Sequence, residues 1–219
     1  MKASLNLLKN KKCLFTKFLI LSWIIIFMTD LLFSPKFGNI GEWFKAVFFN
    51  NQGSFSDALS FVFDKFKSGD FWRLSAYAFT HHGLLHLLVN TKMLLSFVPK
   101  LEEKIGSFYL CLIWLAGTML AGSVVLTAFE SSYSKGSSPG LFAFAGFLLI
   151  ILYIKKIKLS DFLNISERNY FVAYLLLGNF FSIETFLLHF AGFVTGAAIG
   201  FLFSKTKKIN HLSVLRKEF

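Results

Sequence analysis

The sequence predicts an all-α membrane protein, a bundle of six transmembrane helices with a long interfacial loop between the first two. Apolar residues make up 55% of the 219 residues, and 30 residues are Phe. The mean hydropathy is +0.60, and charged residues account for 16%, against roughly 25% in soluble domains. Six apolar segments, most of them near the ~20 residues that span a bilayer, support the prediction: 14–33, 83–99, 107–128, 138–154, 169–182 and 185–204.

The first apolar segment, 14–33, follows an N-terminus rich in lysine. A basic stretch before an apolar run is also typical of a secretory signal peptide. This run, however, is long enough to span a bilayer, and no small-x-small cleavage site follows it. We therefore interpret it as the first transmembrane helix, with its N-terminus in the cytoplasm.

Residues 34–72 form the predicted interfacial loop. Pro35 and several glycines divide it into short pieces, such as 42–49 and 58–66, that mix large apolar side chains with charges. Pieces of this kind are typical of segments that lie at the membrane surface. A small extramembrane subdomain is the alternative, but about forty residues are too few for an independent core.

The distribution of basic residues predicts the orientation in the membrane. A formal net charge of +11 is also typical of nucleic-acid-binding proteins, but these residues lie at the ends of apolar segments rather than in one patch. Sixteen fall on the predicted cytoplasmic side: Lys2, Lys9, Lys11, Lys12, Lys17, Lys100, Lys104, Lys155, Lys156, Lys158, Arg168, Lys205, Lys207, Lys208, Arg216 and Lys217. Six fall outside: Lys36, Lys45, Lys65, Lys67, Arg73 and Lys135. Because cytoplasmic loops carry the excess of Lys and Arg, we predict a multi-pass protein of the cell membrane with both termini cytoplasmic.

The same pattern predicts a single membrane domain, 1–204, followed by a short basic cytoplasmic tail, 205–219. The two cysteines, Cys13 and Cys111, lie at the start of the first and third apolar segments. Because a cytoplasmic position would keep these thiols reduced, no disulfide framework is predicted.

Ser138 and His189 are the candidate nucleophile and base. Polar groups inside a bilayer are costly and are functional candidates by default. Ser138 begins the fourth segment at its outer end and His189 lies in the outer part of the sixth, so the two side chains lie at similar depth. At about 100° per residue, three residues share one helix face with His189, and their small size lets a neighbouring helix approach closely: Gly192, Gly196 and Gly200.

Packing the Ser138 face of the fourth helix against this glycine face would bring the hydroxyl to the imidazole. The base could then take the proton as the oxygen attacks a carbonyl. The alternative is a helix–helix hydrogen bond that serves only packing. No carboxylate shares the face of His189, since Glu184 points about 140° away at 100° per residue. The sequence therefore predicts a Ser–His dyad without a visible third member.

His86 and Asn90 are candidate oxyanion donors at the start of the second helix. They are four residues apart and share a helix face, and both can donate hydrogen bonds to a developing tetrahedral oxyanion. The alternative is a metal site, because His82 and His86 have the same spacing. That interpretation lacks the glutamate of an HExxH motif and any nearby Cys or carboxylate ligand.

With these residues in place, the chain resembles the rhomboid intramembrane serine proteases over about residues 71–204. Five motifs, in order, carry the resemblance: Trp72-Arg73 in the first external loop; His81, His86 and Asn90 at the second helix; Glu102 and Gly106 as Glu-x3-Gly; Gly136-Ser137-Ser138-Pro139; and His189 with Gly192 and Gly196. Each motif is weak alone. Their order, together with the matching topology, makes the resemblance specific.

The resemblance implies a six-helix rhomboid-like bundle with a water-accessible cavity that opens to the outside. It implies hydrolysis of a transmembrane protein substrate near its outer end, through an acyl-enzyme on Ser138, with His189 acting as base and then acid. His86, Asn90 and the Ser138 backbone N–H would hold the oxyanion, and Phe142 would lie against the His189 ring. It implies the lipid bilayer as surroundings, no nucleic-acid partner and no cofactor.

Three residues depart from the family pattern or lack a partner. Pro139 stands where glycine is common after the serine, and a proline is well placed in the first turn of a helix. Leu188 precedes the histidine where alanine is frequent, which could widen the gap between the two helices. Lys92 lies within a predicted span without a partner that the sequence identifies.

Two other functions compete with protease activity. A rhomboid-like pseudoprotease would bind or escort membrane clients without cleaving them, but such proteins usually lack one member of the dyad. A small transporter would predict matched halves with broken helices, and the sequence has none.

Overall fold

The computed structural model of the protein describes residues 12–33, 39–49, 53–131 and 133–206. In chain order the helices are α1 (Leu14–Phe33), α2 (Ile40–Phe48), α3 (Ser54–Leu59), α4 (Phe63–Lys67), α5 (Arg73–Ala76), α6 (Leu84–Ile105), α7 (Ser107–Ala121), α8 (Ser138–Lys155), α9 (Leu159–Phe162), α10 (Ile165–Leu177) and α11 (Ile183–Ser204). A 3₁₀ turn, Tyr77–Phe79, follows α5, and a π-helical turn, Gly122–Leu126, continues α7. The predicted basic residues before Lys12, the loop residues 34–38 and the predicted tail beyond Thr206 lie outside the described residues.

Five helices among the described residues are long and apolar enough to cross a membrane: α1, α6, α7 with its π-helical turn, α8 and α11. The predicted all-α membrane fold is therefore confirmed. The remaining candidate, α10, has 13 residues and a length of about 20 Å at 1.5 Å per residue, shorter than the ~30 Å hydrocarbon core. The sixth crossing stays a prediction.

Two helices have different limits from those the apolar pattern predicts. The second segment was expected to end at 99, but α6 includes Pro99 and continues to Ile105, because proline is tolerated within a membrane helix that neighbouring helices support. The segment expected at 169–182 is instead α10, Ile165–Leu177. It starts earlier because Asn164 and Glu167 form a capping box, each side chain accepting a bond from the other's backbone N–H at 3.0 Å.

One end of the bundle is organised by the buried carboxylate of Glu102 near the end of α6. Its oxygens accept hydrogen bonds from Phe15 N at 2.6 Å and from Thr16 N at 3.0 Å, at the start of α1. The Ser107 hydroxyl at the start of α7 donates to it at 2.6 Å. An anion at helix N-termini satisfies backbone N–H groups that have no partner within the helix. We call this the Glu102 end, and it joins three helices.

The opposite end, which we call the loop end, is organised by the segment between α1 and α6. Buried Arg73 donates to Ala58 O at 2.6 Å and to Ser60 O at 2.8 Å. These bonds join two parts of the same loop. Lys135, in the loop before α8, donates to Asp57 Oδ1 at 2.7 Å. These bonds attach the interfacial loop to the segment that leads into Ser138.

The centre of the bundle is α8, most of whose residues are buried. It packs against α11 through the predicted glycine face. A Cβ at Gly192 would lie 2.3 Å from Pro139 O, and one at Gly196 would lie 1.8 Å from Ala143 O. Only glycine permits backbones to approach this closely. The predicted close approach of α11 to α8 at its glycines is therefore present, but the α8 residues that meet them are Pro139 and Ala143 rather than the helix face that carries Ser138.

Candidate active site

Ser138 is the first residue of α8 and is almost fully buried, at 9% exposure. The preceding Gly136 has φ +132°, a conformation that other residues rarely adopt, and its N–H donates to Tyr77 O at 3.0 Å. A Cβ at Gly136 would lie 2.7 Å from His86 Cε1. Ser137 accepts a bond from Trp114 Nε1 at 2.9 Å. Hydrogen bonds to Tyr77 and Trp114 thus hold the two residues that precede Ser138.

His189 faces Ser138 from α11, with 2.7 Å between its Nε2 and the Ser138 Oγ. The ring is 5% exposed. Phe142, one turn after Ser138, stacks on the imidazole with a centroid distance of 4.2 Å and an interplanar angle of 9°. The predicted pair therefore has hydrogen-bond geometry, and an aromatic ring holds the imidazole plane parallel to its own.

A cavity of about 540 Å³ opens beside this pair. Ser138, His189, His86 and Asn90 all line it, so the four predicted chemical groups lie around one space. The Asn90 Oδ1 accepts a bond from the Tyr174 hydroxyl at 2.7 Å. Its buried Nδ2 has no hydrogen-bond partner among the described residues. A buried donor without a partner is costly, and here the side chain lines the cavity that holds Ser138.

The three histidines at the start of α6 and just before it pack against each other. The rings of His81 and His86 lie 5.2 Å apart, and those of His82 and His86 lie 5.7 Å apart and nearly parallel. Burial lowers the pKa of His81 well below its usual range, so this ring is neutral. Burial, and then the charge of Lys135, also lower the pKa of His82. The described residues contain no group of three or more His, Cys, Asp or Glu placed to hold a metal ion.

Asn179 contacts the candidate base and was not identified from the sequence. It follows α10, and its Oδ1 lies 3.1 Å from His189 Nδ1. No carboxylate is predicted on the helix face of His189, and the third contact comes instead from an amide on another segment. The available signal was an amide within a predicted apolar span, which is a functional candidate on the same grounds as Ser138. Tyr174, whose hydroxyl donates to Asn90, lies in the same predicted apolar span and was also not identified from the sequence.

The remaining predicted supporting residues lie away from the pair. Trp72 is half exposed, and Arg73 stacks on its ring at 4.5 Å within the interfacial loop. Glu102 lies near the far end of α6, about 24 Å from His86 by the rise of an α-helix, and Gly106 follows that end. Gly106 has φ +88° at the turn into α7. These residues fix loop and helix ends rather than line the cavity.

The three departures from the family pattern each have a place in the structure. Pro139 occupies the first turn of α8, where its missing N–H breaks no helical bond. Leu188 is buried in a small apolar cluster that includes Leu74 and Leu126, and α11 still contacts α8 closely at its glycines. The ammonium of Lys92 lies 4.2 Å from the ring centre of Tyr170, a cation–π contact.

Comparison with known proteins identifies the family of the chain. The Rhomboid domain matches residues 68–206. RHOMBOID-like protein 4 of Arabidopsis thaliana is 30% identical over 139 residues, which are 62% of this chain and 35% of the relative. RHOMBOID-like protein 2 of the same plant is 32% identical over 150 residues, 60% of this chain and 42% of the relative. Rhomboid protease GluP of Bacillus subtilis (strain 168) is 35% identical over 83 residues, 38% of this chain and 16% of the relative.

The chain thus spans less than half the length of each of these relatives. The family match covers well over half of the chain, from the interfacial loop to the end of α11. It includes every predicted motif and both members of the Ser138–His189 pair. The chain belongs to the rhomboid family.

Proposed function

We propose that the protein is an intramembrane serine endopeptidase that cleaves transmembrane substrates near their outer end through a Ser138–His189 dyad. The observation that carries the proposal is the 2.7 Å contact between Ser138 Oγ and His189 Nε2, in a buried site on two membrane-length helices. A packing bond alone would not require an adjoining cavity. Here a cavity of about 540 Å³ adjoins the pair and gives a carbonyl carbon room to reach the hydroxyl.

The reaction has two halves. His189 Nε2 accepts the Ser138 proton while Oγ attacks the scissile carbonyl carbon, which forms a tetrahedral oxyanion. The imidazolium then donates that proton to the leaving amine, the C–N bond breaks, and an acyl-enzyme remains on Ser138. Water enters, gives its proton to His189, and attacks the ester. His189 returns the proton to Ser138 Oγ as the new carboxyl product leaves.

The oxyanion requires donors, and three are proposed. The Asn90 Nδ2 is a buried N–H donor without a partner among the described residues, beside the cavity. His86 lines the same cavity with its ring, and the Ser138 backbone N–H lies at the N-terminus of α8, where no helical acceptor competes for it. Preorganised donors in a water-poor site stabilise a developing charge more than donors in water do.

The substrate class follows from the surroundings of the cavity. Its rim carries exposed apolar side chains, including Phe49 on the interfacial loop and Phe181 before α11. An apolar segment that leaves the bilayer would meet these apolar side chains on its way to Ser138. The cavity lies near the loop end, which the distribution of basic residues predicts to be outside, so cleavage is proposed at the outer end of a substrate helix.

Cleavage of a single-span model substrate in proteoliposomes tests the proposal. The wild-type protein should produce two fragments, and Ser138→Ala and His189→Ala should abolish them while keeping the same thermal midpoint. Thr195→Val is a matched control, because the Thr195 hydroxyl donates within α11, to Ala191 O. Substrate binding without cleavage by the wild type would instead support a noncatalytic role that binds or escorts membrane clients.

A further inference from the structure

Asn179 lies in the turn between α10 and α11, outside every motif that the sequence identified. The turn begins where Gly178 ends α10, and it brings the Asn179 side chain against the edge of His189 that faces away from Ser138. The side chain is partly buried, on a short segment joined to the helix that carries the base.

Both ends of the Asn179 amide are assigned by their partners. The Nδ2 donates to Leu175 O at 2.6 Å. A carbonyl oxygen only accepts, so this contact requires the nitrogen of the amide on that side. The Oδ1 is therefore the atom that lies 3.1 Å from His189 Nδ1.

This assignment sets the position of the imidazole proton. An amide oxygen only accepts, so the proton of the neutral ring belongs on Nδ1. The lone pair then belongs to Nε2, the atom 2.7 Å from Ser138 Oγ. A general base needs this tautomer, because the opposite one would present an N–H to the serine hydroxyl.

We propose that Asn179 is the positioning residue of His189, fixing its tautomer and its ring orientation for proton transfer with Ser138. The inference rests on the proposed function for its catalytic meaning. Phe142 restrains the plane of the His189 ring by stacking. A half-turn of the ring about its Cβ–Cγ bond would keep the same plane, so it would still stack on Phe142 but with its two edges exchanged. The Asn179 bond, beside a backbone hydrogen bond of the ring with Gly178, distinguishes the two edges and so favours one of the two orientations.

A neutral acceptor suits this place better than a carboxylate. An ionised carboxylate in a water-poor site carries a large desolvation cost unless it is fully paired. The carboxylate nearest in sequence, Glu184, accepts a bond from Ser131 and is thereby engaged elsewhere. The amide supplies one acceptor to His189 and places its N–H groups towards a backbone carbonyl. It therefore orients the ring without introducing a charge.

Three substitutions test the proposal. Asn179→Leu and Asn179→Ala remove the acceptor, one with similar volume and one with less, while Asn179→Asp keeps an oxygen at the Oδ1 position. Thr195→Val is the control on α11. The readouts are kcat and KM on the model substrate, the thermal midpoint, and ¹⁵N NMR of the histidine ring nitrogens at pH 8, with the His189 signals assigned through a His189→Gln variant.

We expect Asn179→Leu and Asn179→Ala to lower kcat by roughly 10²-fold or more, in line with the loss of a group that fixes a catalytic histidine, with KM and the thermal midpoint near wild type. Asn179→Asp should recover a large part of this rate. In the NMR spectrum, the Nδ1–H form of His189 should dominate in the wild type and lose that dominance in the leucine and alanine variants.

Wild-type kcat in both acceptor-free variants, or an unchanged tautomer in them, would overturn the proposal. The NMR measurement does not depend on turnover, so it separates two failures. If the wild type shows no cleavage that requires Ser138, the proposed function fails. If the tautomer still depends on Asn179 in that case, its positioning of the ring is supported while its catalytic meaning is lost.

Discussion

At the scale of single residues, the site consists of polar groups held in place by other polar groups. Tyr174 donates to Asn90 Oδ1 at 2.7 Å, which leaves the Asn90 Nδ2 as the free end of the amide. Asn179 restrains His189 in the same manner from the other side. The first contact leaves the Asn90 Nδ2 free to face the cavity, and the second leaves His189 Nε2 free to face Ser138. The structure thus places the Ser138–His189 contact and the Asn90 Nδ2, which has no partner among the described residues, around one cavity.

The donor role of Asn90 gives the first prediction. Asn90→Ala should lower kcat by roughly 10²–10³-fold, as the loss of one oxyanion donor does in other enzymes, with a thermal midpoint close to wild type. Tyr174→Phe keeps the Asn90 amide but releases its orientation, so it should have a smaller effect of the same sign. Initial rates on the model substrate over a range of substrate concentrations measure both.

Val89→Ala is the matched control for this prediction, because Val89 lines the same cavity without a polar side chain. It should leave kcat within about threefold of wild type, since the substitution removes no hydrogen-bond donor. A rate for Asn90→Ala as high as that of the Val89 control would remove Asn90 from the oxyanion site.

Some of these residue contacts could be predicted from the sequence, and others could not. The pairing of Ser138 with His189 was predictable because depth and helix face follow from counting residues along two regular helices. Asn179 was not predicted, because it lies in a turn, where no helical period relates it to His189. The partner of Lys92 was concealed for a related reason: Tyr170 lies on another helix, and one sequence does not reveal which helices are neighbours.

At the scale of elements, the contact between α8 and α11 sets the distance between Ser138 and His189. The backbones meet at Gly192 and Gly196, where added Cβ atoms would lie 2.3 and 1.8 Å from carbonyl oxygens of α8. Backbone cannot move aside as a flexible side chain does. The two helices must therefore separate if either glycine gains a side chain.

We predict that Gly196→Val destabilises the protein and abolishes cleavage. Inserting methyl groups into a close-packed contact costs typically about 1–3 kcal/mol, and separation of α8 from α11 would lengthen the 2.7 Å bond between Ser138 and His189. Ala198→Val adds two methyl groups on an exposed position of the same helix, so it should retain wild-type behaviour. Thermal unfolding in detergent and cleavage in proteoliposomes provide the readouts. Equal stability and rate in the two variants would contradict a close contact at Gly196.

Element boundaries were predicted less well than element identity. An apolar pattern marks the part of a helix that meets lipid or core, and α6 and α10 both extend into polar sequence that caps or anchors them. Glu102, buried at the end of α6, accepts bonds from α1 and α7. Asn164 and Glu167 start α10 by capping each other. These polar residues stabilise helix ends through partners that hydropathy does not record.

At the scale of the whole molecule, side-chain bonds divide the bundle into two ends. Glu102 and the Lys100–Glu167 ion pair, at 2.6 Å, lie at one end. The Lys135–Asp57 ion pair, at 2.7 Å, lies at the other with the interfacial loop. Because α10 begins near Lys100 at the Glu102 end and leads to Asn179 beside the dyad, it runs towards the loop end. This course agrees with a sixth crossing by a shorter helix.

The predicted topology places both termini on the cytoplasmic side. A reporter that is active only in the cytoplasm, fused after Thr206, should be active, and the same reporter inserted in the interfacial loop should be inactive. The reason is the excess of basic residues predicted at the Glu102 end, together with the six crossings that the sequence predicts. Activity in the loop, or inactivity after Thr206, would show that the orientation or the number of crossings is wrong.

The central claim is that Ser138 is a nucleophile activated by His189. Labelling the purified, detergent-solubilised protein with a fluorophosphonate, followed by peptide mass spectrometry, tests it most directly because the adduct marks the reactive atom. We predict one covalent phosphonyl adduct, on Ser138, that is absent in Ser138→Ala and strongly reduced in His189→Ala. Absence of any adduct from the folded wild type, or an adduct that persists in Ser138→Ala, would contradict the account.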